Sequence, residues 1–129
     1  PCYQAGTLSG NPLATAAGLA VLGELAREGV YQRLEERGAA LEAALLEGGA
    51  PVVVNRVGSM LTPFFGPGPV TDYASATRSD TEAYGRFARG LLAAGVYPPP
   101  SQFEAWFAGL AHGEPELAAT REAVARALA

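Results

Sequence analysis

The sequence predicts an α+β fold: long N-terminal helices followed by a small, mostly antiparallel sheet covered by helices. Three observations carry this. Residues 12–46 are rich in Ala and Leu and place their apolar positions at helical spacing. Residues 52–65 switch to β-branched and aromatic side chains without that spacing. Helical periodicity then returns over 80–94 and 116–128, on either side of a proline run and a short apolar segment. The order ααβ(β)αββα places helices against a small sheet rather than alternating them with parallel strands.

The first helix begins at Asn11-Pro12, where an amide caps free N–H groups and proline occupies the first turn. It runs to about Arg27 and stops near Gly29. The second spans Val30 to about Leu46, with Leu34, Leu41 and Leu45 on one face, small Gly38 between them, and Glu35, Glu36 and Arg37 opposite. Gly48-Gly49 ends it, since glycine readily takes the left-handed conformation of a C-cap. Strands follow over Val52–Val54 and Val57–Phe65, closed by the loop Gly66-Pro67-Gly68-Pro69, whose prolines remove the N–H donors that a phosphate-binding loop needs. Asp72 and Tyr73 read as surface turn. Ser79-Asp80-Thr81-Glu82 has the form of a capping box with Ser79 as cap, opening a helix to Ala94 that buries Tyr84, Phe87, Leu91 and Leu92. Val96-Tyr97 is a candidate short strand, Pro98-Pro99-Pro100 excludes both helix and central strand, Phe103–Ala111 reads as a strand, and Glu116–Leu128 as the last helix.

Composition narrows the function. With 129 residues, 49% apolar and 17% charged, the chain suits a globular domain with a real core. A net charge of −4 without any Lys/Arg cluster argues against a nucleic-acid partner. No charge precedes Glu24, but the apolar run from Pro12 to Gly23 is shorter than the about twenty residues of a membrane span, and no basic region makes it a signal peptide. A helix so free of charge is expected to be buried on most sides within a larger protein. The single cysteine excludes an internal disulfide and fits a reducing, cytoplasmic setting. Cys2 reads as a bystander, and one Cys with one distant His makes a structural zinc site improbable. The start Pro1-Cys2-Tyr3, with the only methionine at Met60, leads us to expect a piece of a longer protein.

The first candidate for chemistry is Tyr3-Gln4-Ala5-Gly6-Thr7-Leu8-Ser9-Gly10-Asn11-Pro12, which sets hydroxyls, glycines and an amide before a helix N-terminus, a favourable place for an anion. Its plain structural reading is a turn and cap. All nine basic residues are arginine. Without lysine the chain has no side-chain amine for carbonyl chemistry; only the secondary amine of Pro1 could react with an aldehyde. His112 reads as a loop or capping residue, and Trp106 and Phe107 fall on opposite faces of a strand.

This segment resembles the signature of glutamate-1-semialdehyde 2,1-aminomutase, a pyridoxal-phosphate enzyme of tetrapyrrole synthesis. Asn55-Arg56-Val57-Gly58-Ser59-Met60, Arg78-Ser79-Asp80-Thr81-Glu82, Pro100-Ser101-Gln102-Phe103-Glu104-Ala105 and Leu110-Ala111-His112 match the family in order and span nearly the whole chain. The resemblance implies the C-terminal part of a homodimeric, fold-type-I transferase that converts glutamate 1-semialdehyde to 5-aminolevulinate, with the cofactor alternating between pyridoxal and pyridoxamine 5'-phosphate. Residues 1–11 would be an active-site and dimer-interface segment of the large domain, 12–28 a connecting helix, and 29–129 the small domain. Gly6 and Thr7 would contact the cofactor phosphate of the neighbouring subunit, with Tyr3 near the same site, and Glu104 would face the reacting amine. The Schiff-base lysine, the aspartate at the pyridine nitrogen and most substrate contacts lie upstream in the family, in the N-terminal part absent from this chain. A related class-III ω-aminotransferase, or a non-catalytic dimerisation domain, is the competing reading.

Overall fold

The computed structural model describes residues 2–129, so Pro1 and its amine lie outside it. The chain divides into two compact units, the first ending at Tyr31 and the second spanning Gln32–Ala129.

In the first unit, tight turns over residues 6–11 lead into α1 (Pro12–Leu25). The Asn11 side chain accepts from the Ala14 amide at 3.1 Å, the cap that its position predicts. No residue of α1 is buried within the chain, and Leu13, Leu19, Val21 and Leu22 are all exposed. Gly29, at φ +75°, turns the chain into α2 (Val30–Glu47).

The second unit contains the sheet. β1 (Val52–Val57) and β2 (Met60–Phe65) form a hairpin whose register pairs Val57 with Met60 and Val52 with Phe65. Val57 therefore ends the first strand instead of opening the second, because Gly58, at φ +60°, makes the turn. β3 (Trp106–Phe107) pairs with Met60 and Leu61 of β2, giving an all-antiparallel sheet in the order β1-β2-β3.

The strand expected over 103–111 is thus only two residues long. Before it the chain curls, with Glu104 N donating to Ser101 O at 3.2 Å; after it the turn from Gly109 to His112 breaks the ladder. Val96-Tyr97 forms no strand either. Gly95 adopts φ +83° and the Val96 amide folds back onto Leu91 O, so these residues terminate a helix.

Asp72 and Tyr73 do more than turn: Asp72 and Ser75 cap each other reciprocally around the one-turn helix α3 (Tyr73–Ala76). Helix α4 (Thr81–Ala93) is capped by Asp80, not Ser79: Asp80 Oδ1 accepts from the amides of Glu82 and Ala83. The Asp80 amide is held by Phe65 O at 2.6 Å, and that tie to the end of β2 sets the helix start one residue later than expected. Tyr84, Phe87 and Leu91 are buried, but Leu92 is half exposed, because it lies about 100° around the helix from Leu91. Helix α5 (Glu114–Leu128) starts two residues before the expected Glu116, whose carboxylate reaches back to the Gly113 amide at 2.9 Å.

One core joins these elements. Leu45 of α2, Leu61 and Phe65 of β2, Tyr84, Phe87 and Leu91 of α4, Trp106 of β3, and Ala123 and Val124 of α5 pack together. Phe87 sits at its centre, 5.2 Å from the Phe65 ring and stacked on Trp106 at 6.1 Å. Gly38 lets α2 approach the hairpin turn, since a Cβ there would run into Gly58 O and Ser59 Cα. Beside that contact Arg56 donates to Glu42 at 2.7 Å, to Glu35, and to Gly58 O at 2.9 Å, fastening β1 to α2.

Candidate functional site

Tyr3, Gly6 and Thr7 belong to the first unit and Glu104 to the second. In the first, the Ser9 amide donates to Gly6 O and the Asn11 amide to Leu8 O, both at 3.0 Å. These bonds shape residues 6–11 into consecutive turns. Among the described residues, none of the recorded hydrogen bonds uses the amides of Gly6, Thr7 or Leu8, or the Thr7 hydroxyl. All are on exposed residues, and no charged side chain occurs before Glu24. The segment is therefore a set of uncommitted donors without a carboxylate to oppose an anion, which is the donor chemistry that a phosphate requires.

In the second unit a cavity of about 420 Å³ is lined by Tyr97, Pro99, Glu104, Trp106, His112 and Glu116, among others. Two of its ionisable groups are already engaged in holding local structure. His112 Nδ1 accepts from the Gly109 amide at 2.9 Å and so closes a loop, one of the two roles expected of it, while Glu116 reaches back to the Gly113 amide at the start of α5. Glu104 differs. It is exposed, sits in the turn before β3 and not on a strand, and its carboxylate makes no recorded hydrogen bond among the described residues. Its backbone is held instead, with Thr62 Oγ1 donating to Glu104 O at 3.3 Å.

Tyr84 is buried, and its hydroxyl donates to the carbonyl of Pro99, one of the lining residues. Burial pushes its hydroxyl above the usual phenol range, and the charge of Glu104 adds to the rise. The Trp106 indole opposes it, although Nε1 closes no hydrogen bond of good geometry with any partner among the described residues. Trp106 is buried and Phe107 exposed, on opposite faces as alternation requires. Tyr84 entered the sequence reading only as core, and Gln102 only as one letter of a motif. Nothing in the spacing of either reveals that the Tyr84 hydroxyl reaches Pro99 or that the Gln102 amide reaches β2.

Curated relatives now bear on this geometry. Glutamate-1-semialdehyde 2,1-aminomutase from Deinococcus radiodurans is 56% identical over 135 residues, covering 98% of this chain. Its counterparts from Myxococcus xanthus and Thermus thermophilus are 57% and 56% identical over 92% and 99% of the chain. The chain matches the C-terminal part of the glutamate-1-semialdehyde 2,1-aminomutase family. It spans only about 30% of the length of these relatives. No family model matches it.

Among solved structures, an omega-transaminase from Sphaerobacter thermophilus superposes with a TM-score of 0.71 at 26% identity, covering 98% of this chain and 30% of that one. A structure described as a transaminase with PLP bound gives 0.69 at 24% identity, over 98% and 29%, a likeness of fold. The helices and three-stranded antiparallel sheet are thus those of the C-terminal part of PLP-dependent transaminases, as the aminomutase signature implies. Among the described residues there is no cluster of three or more His, Cys, Asp or Glu able to hold a metal, and no helix long and apolar enough to cross a membrane.

Proposed function

We propose that this chain is the C-terminal part of a pyridoxal-phosphate-dependent glutamate-1-semialdehyde 2,1-aminomutase, an isomerase that converts glutamate 1-semialdehyde to 5-aminolevulinate for tetrapyrrole synthesis. The observation that carries this reading is the contrast between relatives. The chain is 56% identical to an aminomutase along nearly its whole length, but 26% identical to an omega-transaminase of the same fold.

When bound, the cofactor supplies a reversible carrier for the amino group. With no lysine in the chain, the residue that anchors it belongs upstream. The residues present fit an auxiliary role. Thr7 and the amides of Gly6, Thr7 and Leu8 would hold the phosphate of the neighbouring subunit's cofactor, with Tyr3 beside it. Glu104 would accept a hydrogen bond from the substrate's amine and favour its protonated form.

This reading makes residues 1–11 part of a shared active site, 12–28 a connecting helix and 29–129 the small domain of a cytoplasmic homodimer. The exposed apolar residues of α1 support it, since an Ala/Leu-rich helix with no buried residue calls for cover by a further part of the protein. For the isolated chain, which cannot anchor the cofactor, a dimerisation role without catalysis is the second reading.

The test is to supply the full-length enzyme with glutamate 1-semialdehyde and, separately, with an ω-amine and a keto acid. Release of 5-aminolevulinate without exchange between the second pair is the expected result. Exchange between amine and keto acid, without 5-aminolevulinate, would transfer the chain to the ω-aminotransferases.

A further inference from the structure

We propose that Gln102 is a positioning residue that sets where the Glu104 carboxylate stands. This rests on the role given to Glu104 above.

Gln102 is 3% exposed, unusual for a neutral polar side chain in a turn whose next residues, Phe103 and Glu104, are exposed. Its amide is satisfied at both ends by the backbone of β2: Nε2 donates to Pro63 O at 2.5 Å, and Oε1 accepts from Phe65 N at 3.4 Å. In a strand, residues two apart direct their backbone groups to the same edge. β3 pairs only with Met60 and Leu61, so the edge of β2 beyond them lacks a strand partner. The Gln102 amide fills that gap, acting as the one peptide unit a longer β3 would have supplied.

The consequence falls on Glu104. The segment leading to it is fastened at Pro99 by the Tyr84 hydroxyl, at Gln102 by β2, and at the Glu104 carbonyl by Thr62. Only the Gln102 anchor is a buried, two-ended bond. Because the Glu104 carboxylate makes no recorded bond of its own, its position follows from the backbone that Gln102 holds. Releasing that backbone would let the carboxylate swing away from the amine while its charge stayed the same.

The test is a double-mutant cycle in the full-length enzyme, on folded protein well below its melting temperature. Gln102→Leu keeps volume and removes both hydrogen bonds; Gln102→Asn keeps the amide but withdraws it, and replaces the first if that variant does not fold. Each should lower kcat by about ten- to a hundredfold with KM little changed, the loss expected when a catalytic group is displaced by about an ångström. In a Glu104→Gln background the same substitution should cost almost nothing further in kcat, while its effect on melting temperature persists. Gln102→Glu adds a pH signature: the ionised carboxylate cannot donate to Pro63 O, so kcat relative to wild type should recover as acid protonates the new side chain. If the two substitutions multiply in kcat, Gln102 only stabilises the fold and the proposal fails. If Glu104→Gln alone leaves kcat unchanged, the reading of Glu104 fails first and takes this proposal with it.

Discussion

The phenol hydroxyl of Tyr84 donates to the carbonyl oxygen of Pro99 across 2.6 Å, tying the first turn of α4 to the proline run that leads to Glu104. Pro98 is buried beside it, so a segment without regular structure is nevertheless held in place. Proline offers only its carbonyl as a partner, and Tyr84 uses it.

Tyr84→Phe should destabilise the protein by about 1 kcal/mol at neutral pH, the usual net worth of a hydrogen bond. The cost should depend on pH in a definite direction. The folded protein raises the hydroxyl's pKa, so it binds that proton more tightly than the unfolded chain. This contribution is fully present below about pH 10, the unfolded value, and is lost as pH rises through the higher folded value. Denaturant melts at neutral and strongly alkaline pH should show the gap between wild type and variant closing. A gap that stays constant would mean the hydroxyl titrates alike in both states.

Gly38→Ala should destabilise the second unit by roughly 1–3 kcal/mol, the range for an overpacked contact. The added methyl meets the backbone of Gly58 and Ser59, with Ser59 Cα 3.0 Å away, and backbone in a tight turn cannot rotate aside. Ordinary helix propensity predicts the reverse, a gain on replacing Gly by Ala. The sign of the change in melting temperature decides between the two.

Arg56 bonds to two glutamates of unequal exposure. The Glu42 side chain is 28% exposed and that of Glu35 53%. Double-mutant cycles should therefore give Arg56–Glu42 the larger coupling, while Arg56–Glu35 should stay within the about 0.2–1 kcal/mol of exposed pairs and shrink in high salt. Equal, salt-insensitive couplings would show that exposure does not govern this cluster.

In the full-length enzyme, Thr7→Ala should weaken cofactor retention by about ten- to a hundredfold, the loss of one hydrogen bond to a charged group worth roughly 1.5–3 kcal/mol. Mixed dimers locate the effect, because a mutant subunit should impair its partner's site and spare its own. Unchanged cofactor affinity would remove Thr7 from the site.

Glu104→Gln keeps shape and hydrogen-bonding capacity but removes the charge that favours a protonated amine. Single-turnover amino transfer should slow while the melting temperature stays within the about 0.5 kcal/mol equivalent of surface substitutions. Wild-type turnover would make Glu104 an ordinary exposed carboxylate and leave Gly6, Thr7 and Tyr3 as the candidate site residues of this chain.

Local chemistry was legible from the residues alone. Asn11-Pro12 starts a helix, Gly48-Gly49 stops another, and the face holding Tyr84, Phe87 and Leu91 turns inward, because caps and periodicity act within a few residues. The motifs from Tyr3 to His112 likewise carried the family, since they are strings of adjacent letters. What lay beyond reach depends on partners far along the chain. Asp80 and not Ser79 caps α4 because Phe65 O holds the Asp80 amide, and β3 stops at two residues because Gln102 takes the edge of β2 that further strand would have paired. A backbone donor or acceptor must be satisfied somewhere, but residues dozens of positions away decide by what, and only the folded chain brings them together.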